Sequence, residues 1–206
     1  MQRVTVYIDG FNLYYGLRDK NWRRYFWLDF HRLSEKLLLP NQVLVEVHYF
    51  TTKVNPASSN PGKFKRQRTF LEAIESLQNV RIHYGYHLPK IMSCPSCGSS
   101  WQTYEEKMTD VNIAVELLGD AQDNAFDTAI IVSADSDLAG PVQAVRRRYS
   151  NKRVIIAFPP ERASKKLRQV ATGYFTIGRD VFRDSQLPNQ VTKPDGYVLT
   201  RPPSWK

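Results

Sequence analysis

Long apolar runs and cysteine are both scarce in this 206-residue sequence. No apolar run approaches the roughly 20 residues needed to cross a bilayer, and the amino terminus lacks the basic, apolar and small-residue order of a secretory signal. Two cysteines are too few to hold a chain of this length together by disulfides. Apolar residues make up 42% of the sequence and aromatic residues 12%. This composition excludes disordered, collagen-like and coiled-coil proteins. We therefore expect a single soluble domain, cytoplasmic and without a membrane partner.

Positive charge is concentrated in the last third of the chain. Residues 141–206 hold 14 Lys and Arg against 4 Asp and Glu, whereas residues 1–140 hold 15 against 16. A one-sided basic surface attracts polyanions, and nucleic acid is the commonest such partner. The alternative is a basic face that only keeps the protein in solution.

Strands and helices alternate along the chain. Continuous apolar or β-branched runs predict strands at 3–8, 43–50, 80–86, 128–133, 153–158 and 174–177. Helical spacing predicts helices at 12–17, 28–39, 63–78, from 109 onward, 138–149 and 164–171, with a loop at 54–62 and an irregular stretch at 89–104. This alternation is typical of an α/β fold with a mostly parallel sheet and helices on both faces.

Aspartates follow two of the predicted strands. Asp9 ends the first strand, and Asp135 and Asp137 follow the strand at 128–133. If these strands are neighbours, the carboxylates meet in the crevice at the carboxyl edge of the sheet, and Asp110 at the start of a helix completes the set. Taken singly, each acid has a plainer explanation, because Asp-Gly forms turns and Asp caps helices.

Clustered carboxylates repel one another unless a cation holds them together. Mg²⁺ or Mn²⁺ is the natural partner, because hard cations prefer carboxylate oxygens and keep exchangeable waters. Such an ion supplies the chemistry of phosphodiester hydrolysis. The sequence therefore predicts a divalent-metal site formed by Asp9, Asp110, Asp135 and Asp137.

Three segments resemble the motifs of the NYN domain, a branch of the PIN-like ribonucleases. They are VYIDGFNLY at 6–14, EKMTDV at 106–111 and IVSADSDL at 131–138. The resemblance covers most of residues 3–180 and implies a Rossmann-like, PIN-like sheet with the first strand central. It also implies a divalent-metal centre and endonuclease activity on RNA. Our own expectation for the RNA partner is a single strand.

The resemblance assigns roles residue by residue. Asp9, Asp110, Asp135 and Asp137 match the acidic metal centre of the family. Asn12 and Ser133 match its polar support, Asn12 orienting Asp9 or a water and Ser133 bracing the loop that carries Asp135. Lys107 is a candidate for positioning the scissile phosphate, the alternative being a surface lysine.

This sequence departs from the family pattern at a few positions. Ala134 stands where glycine is frequent, and Glu116 stands where many members have another acid, usually Asp. Six residues correspond to about 600° of helix rotation, so Glu116 and Asp110 are not expected on the same face. Glu116 is therefore only a candidate for indirect support of the centre.

The cysteine pair, Cys94 and Cys97, looks like one half of a zinc knuckle. A structural zinc ion takes four ligands, and His83 and His87, which share a face if the strand continues, are the candidates for the other two. Reduced thiols in a loop and redox exchange are the alternatives.

Basic residues and rings supply candidate contacts to RNA. The candidate phosphate contacts lie on two predicted helices and beside an aromatic cluster: Arg146, Arg147, Arg148, Lys165, Lys166, Arg168, Arg23 and Arg24. The rings of the cluster at 22–27 have two alternatives, stacking on bases or packing in the core.

The prolines and polar residues near the carboxyl end predict a domain boundary. We assign residues 1–183 to the nuclease-like domain and 184–206 to an extended, proline-rich arm.

Two hypotheses for the function stay open. The first is a metal-dependent endoribonuclease, and the second is a non-catalytic RNA-binding or regulatory module on the same fold. Monomer and dimer are both compatible with the sequence.

Overall fold

The protein is described here from a computed structural model, which describes residues 1–54 and 61–205. The loop predicted at 54–62 lies largely outside the described residues. The strands are β1 (Gln2–Asp9), β2 (Gln42–Thr51), β3 (Val80–Tyr84), β4 (Tyr86–Ser93), β5 (Ser100–Lys107), β6 (Thr128–Val132), β7 (Arg153–Phe158), β8 (Gly173–Thr176), β9 (Gln190–Thr192) and β10 (Val198–Thr200). The α-helices are α1 (Gly10–Asp19), α2 (Phe30–Glu35), α3 (Pro61–Glu75), α4 (Thr109–Gln122), α5 (Ala139–Arg148), α6 (Lys165–Val170) and α7 (Arg179–Asp184). Within these described ranges, no helix is both long and apolar enough to cross a membrane.

Six parallel strands form the central sheet in the order β3-β2-β1-β6-β7-β8. The chain moves outward from β1 to β3 and then returns to β6 on the other side of β1. The strand order therefore reverses between β1 and β6, and in such sheets the crevice at that point binds ligands. The predicted parallel sheet with a central first strand is confirmed.

Each face of the sheet carries its own core. On one face, Val6 and Ile8 of β1 pack with Leu33 of α2 and Ile74 of α3. On the other face, α4, α5 and α6 cover Tyr7 and the neighbouring strands. β1 and β6 are buried on both faces, which is why both read as continuous apolar runs in the sequence.

A β-hairpin replaces the irregular stretch predicted at 89–104. The predicted strand at 80–86 stops at Tyr84, and β4 and β5 then pair antiparallel from Tyr86↔Lys107 to Ser93↔Ser100. Gly85 makes the break, because a Cβ there would lie 2.5 Å from the carbonyl oxygen of Lys107. The hairpin is exposed along most of both strands, so it lacks the one-sided apolar pattern that marks a strand in sequence.

The carboxyl-terminal segment packs on the core and is not an extended arm. The Trp27 indole N–H donates to the carbonyl of Pro188 at 2.8 Å. Trp205 lies 5.6 Å from Phe26 and 5.8 Å from Phe70, ring centre to ring centre. Burial of aromatic surface holds this segment on the core.

Candidate metal centre

Asp9 is the most deeply buried of the four predicted acids. It ends β1 with 2% of its surface exposed and caps α1. The backbone N–H and the side-chain amide of Asn12 donate to its two oxygens at 3.0 and 2.9 Å, and Ser133 Oγ donates at 2.8 Å. Burial raises the pKa of Asp9, and these hydrogen bonds oppose that shift. The carboxylate is thus held in one orientation at the carboxyl edge of the sheet.

The loop after β6 is bonded to the same residues. The backbone N–H of Asp135 donates to Ser133 Oγ at 3.0 Å, and that of Ala134 donates to Asn12 Oδ1 at 3.2 Å. Asp135 itself accepts from the backbone N–H of Asp137 at 2.9 Å, as the cap of a short turn. Asn12 and Ser133 therefore link the loops that carry Asp9 and Asp135.

Asp110 lies in the first turn of α4 and completes the group. Its pKa is raised to about 7, first by burial and then by the charges of Asp135, Asp9, Glu106 and Asp137. Asp110 thus lies close enough to the other three aspartates for their charges to act on it, and we call the four aspartates the acidic centre. Within the described residues, no Lys, Arg or His forms an ion pair with any of them.

Sequence reasoning did not select Glu106 as a site residue. It accepts hydrogen bonds from the backbone N–H of Thr109 at 3.1 Å and from the Thr109 hydroxyl, and its charge adds to those raising the pKa of Asp110. Met108, between them, has φ of 80°, in the left-handed region that non-glycine residues seldom adopt. Glu106 therefore fixes the start of α4 and with it the position of Asp110. A Glu three residues before Thr-Asp was the available signal.

The raised pKa of Asp110 leads to a stability prediction. In metal-free protein, Asp110 binds its proton more tightly when folded, so its contribution to the free energy of unfolding falls as pH rises from about 4 to about 7. We expect Asp110→Asn to raise that free energy by about 1–2 kcal/mol at pH 8, a value discounted for solvent screening, and by almost nothing at pH 4. Urea unfolding at both pH values in the presence of EDTA measures it. An Asp110→Asn protein no more stable than wild type at pH 8 would contradict it.

Lys107 does not face the acidic centre. Its ammonium pairs with Glu105 at 2.9 Å, and both side chains are more than 40% exposed. The pairing raises the pKa of Lys107. Side chains of adjacent strand residues point to opposite faces, so the side chain of Lys107 lies on the face of β5 opposite to that of Glu106. The structure leaves this lysine as a surface residue.

The predicted phosphate contacts fall into separate groups. Arg146, Arg147 and Arg148 form the last turn of α5, roughly 15 Å along the helix from its start beside Asp137. Lys165 and Lys166 begin α6 and are exposed, and Arg168 lies over the rings of Phe158 and Tyr174. Arg24 lines a basic cleft formed with Arg179, Arg183 and Arg201. The guanidinium of Arg146 donates to the backbone carbonyl of Val170 at 2.6 Å, so the last turn of α5 lies beside the end of α6.

An aromatic groove of about 320 Å³ opens beside Asp9. Phe11, Tyr14 and Tyr15 of α1 line it, as does Trp205. Basic and polar residues at its rim and wall are Arg23, Lys63, Arg66 and Thr52. Thr52 Oγ1 lies 3.4 Å from a Glu106 oxygen, so the groove adjoins the acidic centre. Of the cluster at 22–27, Tyr25, Phe26 and Trp27 are buried in the core, so core packing was the correct alternative for these three.

The four residues proposed for zinc do not come together. Cys94 and Cys97 lie at the tip of the β4–β5 hairpin, whereas His87 lies at its base, roughly 20 Å away along β4. His83 belongs to β3 and contacts His48 at 2.8 Å. The strand break at Gly85 separates the two histidines that a continuous strand would have placed on one face. Hydrogen bonding to Ser99 lowers the pKa of the exposed Cys97 thiol to about 7.

A histidine cluster lies under α4, and the sequence did not predict it as a site. A ring nitrogen of His48, a ring nitrogen of His83 and a carboxylate oxygen of Glu116 all lie within 4.8 Å of one another, so these residues could hold a metal ion. Glu116 faces His83 at 3.5 Å, so its contact is with this cluster. The spacing of His48 and His83 on different strands gave no motif.

Comparison with known proteins identifies the family. The family model of the NYN domain matches residues 3–178. The chain belongs to the NYN domain family. NYN domains are PIN-like nucleases, so the mixed α/β sheet described above is a PIN-like fold. The match ends before the packed carboxyl-terminal segment of this NYN protein.

Two individual proteins are similar to this NYN protein. The 6-hydroxy-3-succinoylpyridine 3-monooxygenase HspA of Pseudomonas putida (strain DSM 28022 / S16) is 28% identical over 190 aligned residues, covering 76% of this chain and 59% of the relative. The chain thus spans about three fifths of that relative's length. The crystal structure of VPA0982, a protein of unknown function from Vibrio parahaemolyticus RIMD 2210633, aligns with a TM-score of 0.54 at 21% identity. The alignment covers 87% of this chain and 94% of that one, which supports the fold.

Proposed function

We propose that this NYN protein is a metal-dependent endoribonuclease that cuts single-stranded RNA at the acidic centre. The observation that carries the proposal is that Ser133 Oγ donates to Asp9 at 2.8 Å and accepts from the backbone N–H of Asp135 at 3.0 Å, which joins two acidic loops at one edge of the sheet. Asp110 lies near enough that, after burial, the charges of these acids raise its pKa. Mutually repelling carboxylates that form no ion pair with a basic side chain in ranges 1–54 and 61–205 fit a divalent cation better than they fit a structural role. Membership of a PIN-like nuclease family supports the same conclusion.

The donor set fits Mg²⁺ or Mn²⁺. All candidate ligands are carboxylate oxygens, which these hard cations prefer. The carboxylates are spaced more widely than the atoms of the histidine cluster, and Mg²⁺ usually keeps several waters and binds proteins through few direct ligands. When bound, the ion would stabilise charge on the phosphate and activate water.

The residues of the chain supply orientation. Asn12 and Ser133 hold Asp9 in one rotamer through the hydrogen bonds described above. Ser133 also fixes the backbone of Asp135, so two ligands are positioned by a single hydroxyl. Pre-set ligand positions of this kind lower the reorganisation that a charged transition state demands.

The aromatic groove supports single-stranded RNA as the substrate. Phe11 and Tyr15 stack with ring centres 6.4 Å apart, and Arg18 lies 4.4 Å over the Tyr15 ring. Unpaired bases stack on such rings, whereas bases within a duplex cannot reach them. The groove lies beside Asp9, so a base held there brings its phosphate toward the acidic centre.

A direct assay tests the proposal. We expect purified protein with Mg²⁺ or Mn²⁺ to cut 5′-labelled single-stranded RNA internally, and EDTA to stop it. Sequencing both ends of the products reports the position and chemistry of the cut. Salt-sensitive binding without cleavage would favour the non-catalytic RNA-binding module instead.

Replacing Tyr15 tests the groove. We expect Tyr15→Ala to raise KM for single-stranded RNA about tenfold or more with kcat little changed, since one base–ring stack is worth about 1–3 kcal/mol. Tyr197→Ala is the matched control, because that ring is 63% exposed and lies outside the groove. Equal KM values for the two variants would remove the groove from the binding site.

A further inference from the structure

We propose that His48, His83 and Glu116 form a second metal site, which takes a transition-metal ion of the zinc type. The site lies under α4, between the helix and strands β2 and β3. Glu116 is six residues after Asp110, or about 9 Å along the helix axis. The inference does not depend on the proposed nuclease activity.

The contacts within the histidine cluster form a chain. His83 Nδ1 faces a Glu116 oxygen at 3.5 Å, and His83 Nε2 contacts His48 Nδ1 at 2.8 Å. His48 Nε2 then faces oxygens of Glu46 at 3.2 Å and Asp120 at 3.4 Å. Each of these three junctions joins two atoms that carry lone pairs, so each needs a proton or a cation between them.

This row of contacts between side chains holds one proton too few. A neutral imidazole carries a single N–H, so two neutral rings bring two N–H groups to the row. Two N–H groups cannot fill three junctions. Whichever tautomers form, one ring nitrogen directs its lone pair at another acceptor.

His48 Nε2 shows the deficit directly. The His48 side chain is 1% exposed, and among the described residues its Nε2 has no hydrogen-bond partner of acceptable geometry. A buried ring nitrogen without a partner is costly. A metal ion on the Nδ1 side would place the proton on Nε2, which faces the negative charges of Glu46 at 3.2 Å and Asp120 at 3.4 Å.

The types of ligand atom in the histidine cluster determine which metal ion it favours. Two imidazoles and a carboxylate are typical ligands of Zn²⁺ and related transition metals, whereas Mg²⁺ prefers oxygen alone. The Glu116 and Asp120 side chains are 31% and 20% exposed, so the cluster is open to solvent from one side. The two metal centres of this chain therefore differ in chemistry, one selecting hard cations and the other softer ones.

Zinc binding to the full chain tests the second site. Cys94→Ser and Cys97→Ser are introduced first, so that the hairpin thiols cannot bind the ion. In this background, competition with a chromophoric chelator should report one bound Zn²⁺, and Zn²⁺ should raise Tm where Mg²⁺ does not.

Four variants decide which residues bind the ion. His83→Gln should abolish Zn²⁺ binding, and Glu116→Gln should weaken it by more than about tenfold, which is the loss that even an indirect partner causes. Asp110→Asn and the exposed Asp123→Asn should leave it unchanged. Absence of zinc binding, or binding lost in Asp110→Asn and kept in His83→Gln, would overturn the assignment.

Discussion

Replacing either Asp9 or Asp135 by asparagine is expected to lower the rate of RNA cleavage about 1,000-fold. That factor corresponds to about 4 kcal/mol of transition-state stabilisation, within the range that removal of one preorganised electrostatic group produces. Asparagine keeps the shape of the side chain and can still accept from Ser133 or from the N–H of Asn12. The fold should therefore survive, as circular dichroism would verify.

Asp195→Asn is the matched control for these two variants. The Asp195 side chain is 62% exposed, and its carboxylate pairs with Lys193. Among the described residues it makes no hydrogen bond or ion pair with the acidic centre. Purified by the same procedure, it should cut RNA at the wild-type rate. Cleavage that persists in Asp9→Asn at that rate would point to a contaminating nuclease or to a different site, and the proposed function would fall.

Gly10→Ala is expected to lower the free energy of unfolding by about 1–3 kcal/mol, the usual cost of overpacking. A Cβ at Gly10 would lie 2.6 Å from the carbonyl oxygen of Phe50 and 2.8 Å from the ring of Tyr49. The first contact is with backbone of β2, which cannot rotate away. Relief requires α1 to move, so Asp9 and Asn12 move as well and cleavage should fall too.

Gly119→Ala provides the comparison. Gly119 lies inside α4, and a Cβ there would meet no heavy atom within 4 Å. Alanine at that position should raise the free energy of unfolding by about 0.4–1 kcal/mol, because it restricts the unfolded chain. Chemical denaturation of both proteins measures the difference. Gly10→Ala as stable as Gly119→Ala would show that the sheet yields at this point.

The main features of the fold could be predicted from the sequence because buried parallel strands have a distinctive pattern. β1 and β6 are apolar on both faces, and each ends near an aspartate, so the two strands and their acidic residues were visible together. The central place of β1 came from the resemblance to the NYN domain. Neighbouring parallel strands end at one edge, so the meeting of Asp9 and Asp135 followed from that rule.

Features formed by pairing of distant exposed segments could not be predicted. The hairpin of β4 and β5 has no buried face, and its Pro89 argues against a strand in sequence. His48 and Glu116 are 68 positions apart in chain number and meet only because α4 crosses β2 and β3. Single positions on different elements leave no periodic signal, which is why the histidine cluster was missed.

The hairpin is closed at its base, where Tyr86 pairs with Lys107 and Gly85 touches the Lys107 carbonyl. We therefore expect a change at the tip of the hairpin to leave the start of α4 in place. A fluorophore attached at Cys97, or a short affinity tag inserted between Cys94 and Cys97, should leave Asp110 undisturbed. The tip thus offers a handle for immobilising or imaging the protein while its chemistry is recorded.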